Sequence, residues 1–368
     1  MSVNPLDLFK RQITLSEIGD EGQQKLQNAK VLVVGCGGLG SPIVVYLASS
    51  GIGKLHLIDF DKVDVTNLHR QVFYSLEDVG QYKSETLAKF IQQRAPFTEV
   101  TFSIEPLSKA NVFEAISDFD IIVDGTDSLP TKYLLNDACV LKEKPLVYGS
   151  LYKFDGYVSS FNLKQDDGSF SANLRDAFPT MNIDVPNCEE AGTMNAIVGM
   201  IATAQVNEVL KIVTGTGKPL TNELLIYNAL QNTQLKMKLA PEECHSERSR
   251  RISEIFAQES YYDASCGIQN PDWQISPEEL KRQLSFRAQS KNLHVIAVLP
   301  NLDLPFEVDE TIPIQEFDAK KIQIDVQKTY VMVCQLGINS YKATEMLKEI
   351  HPKVNVLSLT GGISRYKE

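Results

Sequence analysis

Four glycines and a set of carboxylates, amides and cations give this sequence its candidate chemistry. Gly35, Gly37, Gly38 and Gly40 follow the β-branched run Val31 to Val34 in VLVVGCGGLGSP and precede PIVVYLASSGIG, with Pro42 where a first helical turn tolerates it. That order reads as strand, glycine turn, helix. Glycines let the backbone turn tightly and approach a phosphate, and the leading N–H groups of the helix, aided by its dipole, attract the anion. A second apolar run, KLHLIDF, brings Asp59 to a strand end, where a carboxylate accepts hydrogen bonds from a ribose. The pattern points to a nucleotide without saying which. A mononucleotide and a dinucleotide both fit, and the same turn can serve only to pack a helix on a strand.

Downstream, DFDKVDVTNLHRQVF and VGQYKSETL crowd Asp59, Asp61, Asn67, Arg70, Gln71 and Lys83 behind that strand. A nicotinamide site needs little beyond one acid there. Arg offers a planar fork and Lys a mobile point charge, the pair expected where a triphosphate is gripped and pyrophosphate must leave. A solvated polar loop has the same composition. A further strand ends in IIVDGTDS, which places Asp124 and Asp127 beside the same crevice. Mg²⁺ prefers one or two carboxylates plus phosphate oxygens, and these aspartates offer them; strand-end aspartates also cap helices. Elsewhere, YVMVCQLGINSYKATEML sets Cys334 after a strand and before a helix, where backbone N–H groups stabilise a persulfide anion.

The elements that must position these residues alternate from Val31 to about Gly149. VLVVG, KLHLIDF, VTFSIEPL, DIIVDGTD and PLVYGS read as strands, and KSETLAKFIQQRA as an amphipathic helix. This order predicts an α/β fold: a Rossmann-like, doubly wound, largely parallel sheet with ligands at the carboxyl ends of its strands. YVSSFNL reads as an antiparallel addition and Asn195 to Val213 as a buried helix. APEECHSERSRRISEIFAQES turns polar and locally basic and reads as a linker. Beyond it, Ser276 caps SPEELKRQL, LHVIAVL, TYVMVC and VNVLSL are strands, and NSYKATEMLKEI is a helix. The expected organisation is a domain over 1–240, a linker over 241–270 and a smaller α/β domain over 271–368.

At 368 residues the chain can bury two cores. Its net charge of −11 argues against a general affinity for nucleic acid or anionic lipid, so a bound nucleotide is a small ligand. The uncharged span from Val31 to Gly53 is long enough to cross a bilayer, but its glycines and serines break it into soluble pieces. MSVNPLDLFKRQ lacks the order of a secretion signal, which sets the expected location as cytoplasmic. Cys36, Cys139, Cys188, Cys244, Cys266 and Cys334 form no C-x-x-C pair and suit neither a disulfide framework nor a zinc ribbon.

From KRQITL to about Lys238 the sequence resembles the MoeB/ThiF adenylyltransferases, relatives of ubiquitin-activating enzymes. RQI, GCGGLG, DFDKVDVTNLHRQ, GQYKSE, DGTDS and CEEAG occur in that family's order and approximate spacing. The resemblance implies ATP and Mg²⁺ as cofactors. It also implies a reaction in which the Gly-Gly carboxylate of a small ubiquitin-like sulfur carrier attacks the α-phosphate. By position, Gly38 and its neighbours would cradle phosphate, Asp59 would bind the ribose, Asn67, Arg70 and Lys83 would contact the phosphates, and Asp127 would position Mg²⁺. Arg11 would reach into a second subunit, which implies a homodimer. Cys188, in NCEEAG, falls where relatives carry a cysteine that is sometimes nucleophilic; an inert thiol fits equally.

The sequence also departs from that pattern. Relatives commonly bind structural zinc through two C-x-x-C pairs, whereas the first place here reads SFSANLRDAF and the second keeps only Cys244, so no structural zinc is expected. Ser128 stands where the family usually has Asn. From about Ile275 to Lys367 the chain resembles a rhodanese domain, which fused relatives use to supply sulfur to the adenylated carrier. Gln335 replaces the usual arginine after Cys334, and VIAVLP the usual Asp-Val-Arg. The reading is a carrier adenylyltransferase of the molybdopterin type with a rhodanese-like domain, fed by a sulfur donor such as a cysteine desulfurase. Alternatives are a thiamine-pathway enzyme, a non-catalytic nucleotide- and carrier-binding scaffold, and a nicotinamide dehydrogenase.

Overall fold

The β-branched runs of the first two thirds of the chain assemble into one sheet. The computed structural model describes residues 4–181, 192–241, 245–259, 261, 271–290, 292–299, 304–335 and 337–367. It divides into two compact units, Met1–Tyr261 and Tyr262–Glu368.

In the first unit, β1 (Lys30–Val34), β2 (Lys54–Ile58), β3 (Glu99–Ser103), β4 (Ile121–Asp124), β5 (Leu146–Tyr152), β6 (Asp155–Phe161), β7 (Glu223–Asn228) and β8 (Thr233–Lys238) lie in the order β3-β2-β1-β4-β5-β6-β7-β8. Pairs from β3 through β5 are parallel, and those from β5 to β8 antiparallel. Strand order reverses direction at β1, which opens a crevice at the carboxyl ends of β1 and its neighbours. Val34 pairs with both Ile58 and Asp124, so the glycine turn, Asp59 and the aspartate loop leave the sheet at one level.

Alternation along β1 assigns its side chains to two cores. Val31 and Val33 pack with Ile43, Leu47, Leu87 and Ile197 on one face, and Leu32 and Val34 with Ile122, Leu134 and Ala138 on the other. The helix Asn195–Thr214 is long and apolar enough to cross a membrane, yet Ile197, Val198, Ile201 and Ala202 are buried in the first of these cores.

The polar stretch expected to be a linker instead contains the helix His245–Gln258, packed on the helix Leu129–Leu141. Arg248, Ile252 and Phe256 recur every four residues and turn to one side, Ile252 fully buried and Phe256 4.9 Å from the ring of Phe113. Lys109 fastens the helix end by donating to the carbonyls of Ala257 and Glu259. A single buried stripe on an otherwise charged helix is why composition alone reads as a linker.

The second unit is a parallel sheet of β9 (Gln274–Ile275), β10 (Leu293–Ala297), β11 (Glu310–Thr311), β12 (Thr329–Val333) and β13 (Asn355–Leu359), in the order β11-β10-β12-β13-β9. Ser276 caps the helix Pro277–Ser290 by accepting the Glu279 N–H at 3.2 Å.

Candidate functional site

Directly after Val34 the chain reverses. Gly35 has φ of +86°, its N–H donates to Ile58 O at 2.8 Å, and a Cβ there would lie 2.8 Å from the Gly125 backbone. At Gly40 a Cβ would collide with Gly35 O. Both positions require glycine, and the helix Gly40–Ser49 starts at once, with Ser41 N–H already donating to Gly37 O at 3.0 Å, Ile43 N–H to Leu39 O at 3.3 Å, and Pro42 carrying no N–H. Gly37 lies between them against the Gln71 amide, and Gly38 against Val198.

The Asp59 carboxylate ties this turn to the β2 end. It accepts the Cys36 N–H at 2.6 Å and the Asp61 N–H at 2.8 Å. Burial pushes its pKa up to about 6, and Asp61 adds to the rise, while Lys83 and the two N–H donors oppose it. Lys83, at the start of the helix Lys83–Gln92, places Nζ 2.9 Å from Asp61 Oδ2 with its own side chain almost wholly buried. Burial pulls the Lys83 pKa down, but Asp59, Asp61 and Asp127 outweigh it and hold the ammonium above the ordinary lysine range. Tyr74 closes the floor, its hydroxyl donating to Cys36 O and Lys83 O.

Asn67 and Arg70 come from the short 3₁₀ turn Val65–Asn67 and the residues after it. Asp64 caps that turn by accepting the Thr66 N–H at 2.8 Å, and Arg70 Nη1 donates to Thr66 O at 3.3 Å. Asn67 is buried and Arg70 half-buried. Gln71 is 4% exposed, and its Oε1 finds no donor among the described residues. A buried acceptor against a glycine turn is an atom that a ligand donor can satisfy.

The structure corrects one expectation about the aspartates. Asp124 is not available to Mg²⁺: Lys132 Nζ sits 2.9 Å from its Oδ2, and Thr126 donates to its Oδ1 from both N and Oγ1. Both members of the Asp124–Lys132 pair are buried, with Lys132 also donating to Gly149 O. Asp127, three residues on, is exposed. Ser128 caps the helix Leu129–Leu141, accepting the Thr131 N–H at 3.2 Å. Lys132 and Gln205, whose Nε2 donates to Asp124 O at 2.8 Å, were missed by sequence reasoning. Each shares its helix with other polar residues, Asn136 and Asp137 in one and Asn207 and Glu208 in the other, so residue type alone did not single it out.

The remaining candidates are dispersed. Arg11, on the four-residue helix Lys10–Ile13, is exposed, with Gln12 beside it bonded to Ser50 O and Gln23. Cys188 lies outside the described residues. In the second unit, Cys334 Sγ accepts the N–H groups of Gly337 and Ser340 at 3.1 and 3.3 Å and lies 3.4 Å from Ser340 Oγ. Gly362 closes on that loop so tightly that a Cβ would stand 2.5 Å from Gly337 N.

This geometry sits within a chain whose residues 9–247 match the model of the ThiF family. The protein belongs to the ThiF family. A sulfur carrier protein adenylyltransferase of Thermus thermophilus is 38% identical over 269 residues, covering 72% of this chain and 97% of its own. A probable adenylyltransferase/sulfurtransferase, MoeZ, of Mycobacterium tuberculosis is 31% identical over 369 residues, covering 96% of this chain and 91% of its own. The latter match runs through both units, and the second unit is the rhodanese-like part. Escherichia coli MccB shares the fold, with a TM-score of 0.58 at 21% identity over 66% of this chain and 73% of that one. As a ThiF-family member fused to a rhodanese-like unit, the chain is a nucleotidyltransferase, and the dehydrogenase reading of the glycine turn is set aside.

Proposed function

We propose that the first unit adenylates the carboxy terminus of a small ubiquitin-like sulfur carrier ending in Gly-Gly, and that Cys334 of the second unit carries the sulfur that then replaces the adenylate. The observation that carries the first step is Lys83, a buried ammonium kept charged by Asp59 and Asp61 at the mouth of the glycine turn. With ATP in the crevice, the ribose would meet Asp59 and the phosphates the backbone of the glycine turn at Gly37 and Gly38, together with Asn67, Arg70, Gln71 and Lys83. The carrier carboxylate oxygen forms a bond to the α-phosphorus, and the bond from that phosphorus to the bridging oxygen breaks. Pyrophosphate leaves with the electron pair, its growing charge met by Arg70 and Lys83. Asp127, exposed beside the crevice, would hold Mg²⁺, which neutralises triphosphate charge when bound.

Exposure of Arg11 fits a role in a second subunit's site, and a homodimer is proposed on that ground and on the resemblance. Cys188 keeps its proposed place as a candidate nucleophile. For Cys334, two backbone N–H groups already aimed at Sγ would stabilise a persulfide received from a cysteine desulfurase; attack of its outer sulfur on the acyl adenylate would expel AMP and leave an acyl disulfide, which an added thiol reductant would cleave to the thiocarboxylate. The fused architecture, matched along most of its length by a relative named for both activities, favours the molybdopterin type of carrier over the thiamine type; the cytoplasm is the compartment proposed. Mass spectrometry of the carrier after incubation with this protein and Mg-ATP tests the proposal. An added adenylyl group is expected, and a carrier left at its original mass under conditions where ATP binds would refute it.

A further inference from the structure

Zinc is the metal that the resemblance implies and that this chain's residues do not fit. The first place for a ligand pair falls around the helix Leu174–Ala177, and most of its polar atoms are already committed. Ser171 Oγ accepts the Leu163 N–H at 2.9 Å, and Asn173 Oδ1 accepts the Arg175 N–H at 2.8 Å. Asp176 Oδ2 accepts both Asn173 N and Asn173 Nδ2 at 2.8 Å, closing a capping box. The second place keeps Cys244, which lies outside the described residues, directly before the helix His245–Gln258. What that helix sends inward is a guanidinium: Arg248, 1% exposed, with Nη1 donating to Ser171 O at 2.8 Å and Nη2 4.0 Å from Asp176 Oδ2. A buried permanent cation among oxygen acceptors excludes a second cation, and no thiolate is offered by Ser171, Asn173 or Asp176.

We propose that Arg248 is a metal-free staple that docks the His245–Gln258 helix onto the Ser171–Ala177 segment, doing with one charged fork what the wider family does with zinc. The inference rests on the family assignment but not on the substrate. Beside it, Arg175 grips Asp137 of the Leu129–Leu141 helix through Nε and Nη2 at 2.8 and 2.7 Å, and Tyr261 also donates to Asp137. The staple therefore completes a buried polar seam that holds the last helix of the first unit against the helix whose start carries Asp127 and Ser128. Its integrity does not depend on metal supply or on thiol oxidation.

The test combines metal content with unfolding of the full chain, read without ATP or carrier, so that failure of the activity proposal leaves it unaffected. Elemental analysis is expected to find far less than one zinc per chain, and 1,10-phenanthroline to leave the Tm unchanged. Arg248→Met should lower the Tm of the first unit by roughly 5–15 °C, since breaking a buried ion pair is strongly destabilising. Arg248→Lys should fall between the two, because an ammonium keeps the charge and loses the fork. Hydrogen exchange in Arg248→Met should speed up first in 245–258 and 171–177. Should that variant fail to fold, Arg248→Lys and Asp176→Asn carry the same comparison. One tightly held zinc per chain whose removal lowers the Tm, or an unchanged Tm in Arg248→Met, would overturn the proposal.

Discussion

Lys83 is surrounded by three carboxylates, and each bears on what its removal should do. Replacing it by Ala leaves Asp59 and Asp61 facing each other without a counter-charge and deprives a departing pyrophosphate of a cation. Carrier-dependent adenylation should fall on the order of a hundredfold, and Asp127→Ala should fall comparably, because the proposed function places both where charge develops. Steady-state rates with intact folding, checked by circular dichroism, decide this. Asp59 gives a separate pH prediction. Its folded pKa of about 6 lies above the 3.8 of an ordinary aspartate, so the folded state holds the proton longer. The stability contribution of Asp59 therefore falls as pH rises through that window and is level above it. Urea unfolding from pH 4 to 7 should show this slope in the parent and a reduced one in Asp59→Asn. At this scale Gly35 and Gly40 were legible because close backbone approach demands glycine, and Asp59 and Lys83 because charged residues in the segment after a strand gather at its carboxyl end. The capture of Asp124 by Lys132 was not, since nothing in IIVDGTDS shows that a lysine eight residues later returns to it.

The strands were legible for a plain reason: apolar β-branched runs of four or five residues between glycine or polar turns have few other fates. The helix His245–Gln258 was not, because only every fourth residue faces inward and one of those is an arginine. Ile252 is fully buried on that stripe, in a helix packed on Leu129–Leu141, whose Leu134 and Ala138 belong to the second of the two cores. Ile252→Ala should cost about 2–4 kcal/mol of unfolding free energy in the first unit, as for other buried large-to-small changes, whereas a true linker would tolerate it. Denaturant titration gives the answer directly.

For the whole molecule, the proposed function assigns the two units separable activities. Cys334→Ala should leave adenylation at the parental rate and abolish thiocarboxylate formation on the carrier when sulfur must pass through this chain, as read by intact mass. A homodimer with Arg11 acting across the interface makes a sharper demand. Arg11→Ala and Lys83→Ala should each be inactive, and mixing them should restore roughly a quarter of parental activity, since half the dimers are mixed and each holds one intact site. Recovery of none would place Arg11 outside the site of a second subunit. The central claim is adenylation of a Gly-Gly carboxylate, and exchange of labelled pyrophosphate into ATP tests it most directly. The account predicts exchange only with carrier present, lost when the carrier lacks its terminal Gly-Gly and lost in Lys83→Ala. Exchange that ignores the carrier, or that persists in Lys83→Ala, would contradict it.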